Sequence, residues 1–231
     1  MRWLAIDRSS AHPGMAIFDG AELAFEHVWD GEPTRAPEWL AEVAQQLAEH
    51  SMAADQMERF VCGLGPGSFS GIRACLAALQ GLALPGGRPV FGVASAAALA
   101  LGVAGDGECM TVVGDARRNR LWSVTYRVDA KAGRVRLCDG RAPTHTEKDF
   151  LLTPASELAA AVPAGTRIVS SDWERLSGVL SASFAAGRLV PHAVFPRASD
   201  LGRLAVAEPE ACVFEPVPVY LHPAVALAAT H

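Results

Sequence analysis

Apolar and polar positions alternate along the chain in blocks that predict an α/β order. Residues 2–7, Arg-Trp-Leu-Ala-Ile-Asp, are apolar between charged ends and read as a buried strand closing on Asp7. Residues 15–18 and 21–29 flank Asp19-Gly20, a dipeptide that supplies the positive φ of a tight hairpin. Trp39, Leu40, Val43, Ala44 and Leu47 recur three and four apart and predict a helix, with Thr34 as N-cap and Pro37 and Glu38 in its first turn. A strand over 60–64, a glycine-rich loop over 65–71 and a helix over 72–84 follow, stopped by Pro85-Gly86-Gly87. Residues 89–93 read as another strand leading into an alanine-rich helix near 95–101, and 109–114 as a further strand. Beyond residue 105 the strands shorten (121–128 and 134–137, around a turn at 129–133), and the described pattern ends in extended residues 216–221.

An order of strand, hairpin, helix, strand, helix, strand, helix builds a mixed sheet with an antiparallel start and parallel additions, covered by helices. The expected division is a first domain over 1–104 and a smaller, less regular α/β domain over 105–231. No fixed-period repeat or low-complexity linker interrupts it.

Composition narrows the function classes. Of 231 residues, 50% are hydrophobic and 19% charged, which excludes intrinsic disorder. Forty-two are alanines, so much of the apolar excess is small side chains that let helices approach closely. The net charge of −5, with all but Lys131 and Lys148 of the basic residues being arginine, argues against a domain that grips nucleic acid by itself. Cys62, Cys75, Cys109, Cys138 and Cys212 are odd in number and never spaced C-x-x-C, as expected of reduced thiols and not of a disulfide frame or zinc site. Asp7 and Arg8 interrupt any signal-peptide core, and the uncharged run over 89–105 falls short of a membrane span. A cytoplasmic protein with no membrane partner is expected.

The densest local signal is Gly65-Pro66-Gly67-Ser68-Phe69-Ser70-Gly71, between a strand and a helix whose N-terminus is a ready anion site. It is no Walker A loop, having no Gly-Lys-Ser/Thr. It is a weak dinucleotide fingerprint, and Phe69 stands where a nucleophile elbow needs serine. A tight turn whose glycines permit close strand–helix packing is the alternative.

Continued through Ile72-Arg73, this block resembles the G-P-G-S-F-T-G-L-R signature of the TsaB (YeaZ) family, small partner proteins in bacterial tRNA threonylcarbamoyladenosine synthesis. Supporting matches run in order: Leu4-Ala5-Ile6-Asp7-Arg8-Ser9 with L-A-I-D-T-S, Gly92-Val93-Ala94-Ser95 with G-V-S-S, Asp115-Ala116-Arg117 with D-A-R, and Val219-Tyr220-Leu221 with the closing Y-L-R. The resemblance implies an actin-like ATPase (ASKHA, ribonuclease H-like) fold with a reduced second domain. It implies a subunit without chemistry of its own that dimerises with a TsaD-like protein, in a complex completed by a TsaE-like ATPase. That complex transfers a threonylcarbamoyl group to the adenosine beside the tRNA anticodon, so tRNA is met indirectly. ATP and a metal are then expected on the partner proteins and no cofactor here. Self-association in the partner's absence stays open.

His12, His27, His50, His145, His192, His222 and His231 show no H-x-x-x-H or H-E-x-x-H spacing and read as surface or loop histidines, with no metal site. Asp7 and Ser9 stand where a vestigial nucleotide site would lie, the alternative being a strand-end aspartate capping its turn. Arg8 replaces the family's threonine and is itself able to meet an anion. The helix over 72–84 is apolar all round except Arg73 and Gln80, so a second face needs cover, from the second domain or a partner. The family reading makes this helix and the preceding one the partner surface: Trp39, Leu40, Val43, Leu47, Arg73, Leu76, Ala77 and Gln80. Arg117, Arg118 and Arg120 are candidate anion or RNA contacts or a solvated turn, Arg120 standing where the family often has an acidic residue. His222 replaces the closing arginine. Rival readings are an actin-fold ATP-binding kinase or ATPase resting on Asp7 and, with neither elbow nor ligand spacing behind it, a glycopeptidase-like hydrolase.

Overall fold

The computed structural model describes residues 1–29 and 36–221, with the side chains of Ala36 and Pro37 undescribed. Thr34, His222 and His231 therefore lie outside the described residues. The first sheet is built from β1 (Arg2–Asp7), β2 (Gly14–Asp19), β3 (Glu22–Val28), β4 (Arg59–Gly63) and β5 (Val90–Val93), in the order β5-β4-β1-β2-β3. β2 runs antiparallel to both neighbours, while β1, β4 and β5 are parallel. This is the ribonuclease H-like arrangement. The predicted hairpin is present, turning through Gly20 at φ +61° with Asp19 paired to Glu22.

Three helices connect or cover these strands: α1 (Ala36–Glu49), α2 (Phe69–Ala83) and α3 (Ser95–Val103). α2 starts three residues earlier than its apolar period predicts, because Ser68 is its N-cap and accepts the Gly71 N–H at 3.2 Å. The second sheet comprises β6 (Cys109–Asp115), β7 (Arg120–Asp129), β8 (Arg134–Leu137), β9 (Leu151–Pro154) and β10 (Arg167–Val169). Its order is β10-β6-β7-β8, with β9 also paired to β7. The short α4 (Leu158–Ala161) and α5 (Trp173–Ser183) cover one side through a separate apolar cluster of Val113, Leu121, Ile168, Leu176 and Leu180.

The chain then returns to the first sheet. α6 (Ala198–Ala207) packs across β1 and β2 and against α3, and β11 (Val213–Phe214) adds antiparallel to β5. β6 begins just past the expected boundary at 104, but α6 and β11, which fall within the expected second domain 105–231, pack on and pair with the first sheet. α3 and α6 form the layer between the sheets, and one contiguous core runs through both. The alanine surplus is densest here. Residues 95–101 of α3 are all buried, and Ala96, Ala97, Ala98 and Ala100 leave room for neighbours on every side. The helix buried all round is α3, not α2. Among the described residues no helix is long and apolar enough to cross a membrane.

Candidate functional site

The end of β1 and the signature loop form one compact knot. Asp7 is fully buried, and its Oδ1 accepts the Ser9 N–H at 2.8 Å and the Ser9 hydroxyl at 2.7 Å. Its Oδ2 lies against Gly63 and beside Ser95, in no hydrogen bond of good geometry. Burial holds the Asp7 carboxyl above its ordinary range, with the Ser95 and Ser9 groups pulling the other way. Ser95 Oγ also accepts the Gly65 N–H at 2.9 Å, tying the loop to the start of α3.

The loop then folds down over the turn after β1. The Ser68 N–H donates to the Ser9 carbonyl at 2.7 Å. Gly67 and Gly71 lie so close that a Cβ on either would overlap the carbonyl oxygen of Ser9 or Arg8. These glycines serve close backbone approach, as the packing alternative had it. Arg8 is buried too, with its guanidinium 4.4 Å from the Trp39 ring, and burial lowers its pKa against the pull of Cys75 and Glu42. This arginine is stacked on Trp39 of α1. Asp7 and Ser9 are joined to each other in a closed knot.

α2 presents the open surface. Cys75, Leu76, Leu79 and Ala83 are buried in the core, while Phe69, Arg73, Ala77, Gln80 and Gly81 are exposed on the outer side, followed by Leu84 just past the helix end. Phe69 is 54% exposed and Leu84 80%, so neither the second sheet nor α1 covers this stripe. Of the residues expected to meet a partner, Arg73, Ala77 and Gln80 lie on this exposed side. Leu76 does not: it is buried within the chain. Nor is the face of α1 expected to join the partner surface, since Trp39, Val43 and Leu47 are 2, 1 and 2% exposed and pack inward. Only Leu40 of that group reaches the surface. An amphipathic helix has one apolar face, and in α1 the protein's own core claims it.

Tyr220 joins this surface from 147 residues away. Its hydroxyl accepts from Arg73 Nε at 3.1 Å, its ring lies 5.5 Å from that of Phe69, and the Arg73 guanidinium sits 4.3 Å over Phe69. The Val219 N–H bonded to the Leu64 carbonyl at 3.0 Å holds the segment there. The closing Val219-Tyr220-Leu221 match pointed to this segment without indicating where it docks.

His145 is a loop histidine, and a buried one. It is buried at φ +54°, and its Nδ1 accepts the Ala94 N–H at 3.2 Å, satisfying a donor at the start of α3. Burial lowers its pKa to about 4, against the opposing charge of Asp149. Of the other histidines, His50 packs on Phe25, His12 on Phe195 and His27 edge-on to Trp29. Among the described residues no group of three His, Cys, Asp or Glu could hold a metal ion.

Arg117, Arg118 and Arg120 share one turn between β6 and β7, at the opposite end of β7 from a cleft of about 480 Å³ beside Arg127 and Arg134. That cleft touches neither the signature loop nor α2.

Residues 37–137, which span the signature loop and α2, match the family model described as TsaD, tRNA N6-adenosine threonylcarbamoyltransferase. An uncharacterized protein of Mycobacterium leprae is 27% identical over 183 residues, covering 78% of this chain and 49% of its own length. The chain thus spans about half of that relative. YeaZ from Pseudomonas aeruginosa is 24% identical, with a TM-score of 0.75 covering 95% of this chain and 99% of that one. A structure described as similar to the peptidase YeaZ of the same organism is also 24% identical, with a TM-score of 0.76 over 96% and 99%. The TsaD family model matches the region that spans the signature loop and α2, and the two YeaZ structures share this chain's fold from end to end.

Proposed function

We propose that this chain is a TsaB-type subunit that carries no chemistry itself and pairs with a TsaD-like protein through the exposed face of α2. The pair, reset by a TsaE-like ATPase, supports threonylcarbamoyl transfer to the adenosine next to the tRNA anticodon, with ATP and metal held by the partners. The observation that carries this reading is the bare stripe Phe69, Arg73, Ala77, Gly81 and Leu84, whose small middle allows close helix approach and whose ends offer large apolar groups. The closed knot around Asp7 supports it. A nucleotide-binding reading needs that carboxylate open to a metal–phosphate, and Oδ1 is committed twice to Ser9 under a loop seated on backbone.

The test is association with the TsaD-like protein of the same organism, measured by calorimetry and gel filtration. The wild type is expected to bind. Ala77→Arg, which puts a long charged side chain mid-stripe on an exposed position, is expected to weaken binding at least about tenfold without unfolding the protein. A wild type that does not associate overturns the proposal.

A further inference from the structure

The turn over residues 116–120 carries a conformation that its sequence does not favour. Arg117, Arg118 and Asn119 lie in succession at φ +65°, +54° and +57°. The left-handed region costs an L-residue roughly 1–2 kcal/mol, and of the three only asparagine adopts it with ease. The turn is held there from several sides. The Ala116 N–H bonds the Arg120 carbonyl at 3.0 Å, the Arg120 N–H bonds the Arg117 carbonyl at 3.1 Å, and the Asn119 carbonyl accepts from Ala155 at 3.3 Å. The Arg117 N–H donates to Asp115 Oδ1 at 2.7 Å, and the Asp115 N–H to Asp172 Oδ2 at 2.9 Å. Backbone strain held this firmly at an exposed tip occurs where a turn must present particular side chains.

What it presents is cationic. Arg117, Arg118 and Arg120 are all exposed, and Arg175 lies beside them, paired with Asp172 and 3.9 Å from Asp115. Arg117 and Arg175 pair with Asp115 and Asp172, and Arg118 and Arg120 add two further exposed guanidinium groups to the same turn, in a chain whose total charge is −5. Arg117 is steadied by Asp115 at 3.3 Å and Arg120 by the Leu152 carbonyl at 3.0 Å, so their forks are oriented in advance.

We infer that the turn over 116–120 is a contact for the phosphate backbone of RNA, with Arg117 and Arg118 as its phosphate ligands. This rests on the reading above, in which the assembled complex holds a tRNA. An acidic protein surface is the competing partner, and the observations favour RNA. Protein hot spots centre on buried apolar anchors. The anchors here, Phe69, Leu84 and Tyr220, stand on α2 and beside it in the first sheet's half, whereas this turn belongs to the second sheet and offers only charge. Nucleic-acid contacts are polar, positive and rich in arginine forks. The chain's overall acidity fits a local contact that adds to the partner's grip.

The experiment uses the full chain with its TsaD-like partner and an unmodified tRNA transcript carrying adenosine after the anticodon. Association of the two proteins is checked first by gel filtration, and tRNA affinity is then followed from about 50 to 200 mM salt. Arg117→Gln with Arg118→Gln is expected to leave association unchanged and to lower the salt slope by about 1.4–1.8, two phosphate contacts' worth. A benzophenone amino acid in place of Arg118 is expected to cross-link to the tRNA. An unchanged slope, or a cross-link confined to the partner protein, overturns the inference while leaving the subunit reading standing. Failure of the wild-type proteins to associate overturns both.

Discussion

Gly71→Ala tests the idea that the signature loop works by close backbone contact. The added methyl would fall on the carbonyl oxygen of Arg8 and lie 3.0 and 3.3 Å from Ser68 Oγ and Cβ. Backbone cannot swing aside as a flexible side chain does, so the loop must lift. Overpacking of this kind costs about 1–3 kcal/mol. Lifting also weakens the Ser68 N–H bond to the Ser9 carbonyl and the Ser68 cap on the Gly71 N–H, each about 1 kcal/mol. Against this stands a gain of about 1 kcal/mol from replacing glycine by alanine in a helix. The net expectation is a loss of about 2 kcal/mol, or a fall in Tm of roughly 4–8 °C for a chain of this size. The same change at Gly81, on the same helix, meets nothing within 4 Å and should instead stabilise by about 0.5–1 kcal/mol. Urea and thermal unfolding, followed by tryptophan fluorescence, measure both. If Gly71→Ala matches Gly81→Ala in stability, the loop is not seated as argued.

Two further outcomes follow from residues outside the signature. His145 is held neutral down to about pH 4 when folded, against an ordinary value of 6.5, so the unfolded chain binds the extra proton first. Stability is expected to fall as pH drops from about 6.5 towards 4, by up to about 3 kcal/mol from this group. His145→Asn keeps an acceptor for Ala94 and tolerates the left-handed φ, so it should lose that part of the slope; parallel wild-type and variant profiles in urea unfolding would refute the assignment. Tyr220→Ala removes the ring beside Phe69 and the acceptor for Arg73, and should weaken association with the TsaD-like protein about tenfold while shifting Tm little. Unchanged affinity would place the cluster outside the interface.

The element order was legible because each element carries a local signal. The Asp19-Gly20 dipeptide marked the hairpin, the three-and-four spacing from Trp39 to Leu47 marked α1, and the glycine block marked the strand-to-helix loop. The candidate site was legible only in part. Arg73, Ala77 and Gln80 are exposed, whereas Trp39, Val43, Leu47 and Leu76, apolar positions of the same two helices, belong to the core. Periodicity shows that a face is apolar; it does not show what covers it. The burial of His145 was not legible, because the donor it satisfies, on Ala94, is 51 residues away.

The sequence by itself determined the mixed α/β order, the signature loop and the absence of paired metal-type histidine spacing, all properties of neighbouring residues. Tertiary structure alone decided that α3 and not α2 is buried on every side, that α6 and β11 return to the first sheet, and that Tyr220 joins α2. It also seated a loop some sixty residues later on the backbone of the turn that follows Asp7. The physical reason is common to these. Local preference sets a residue's conformation and polarity, whereas exposure is a property of all the chain that packs around it.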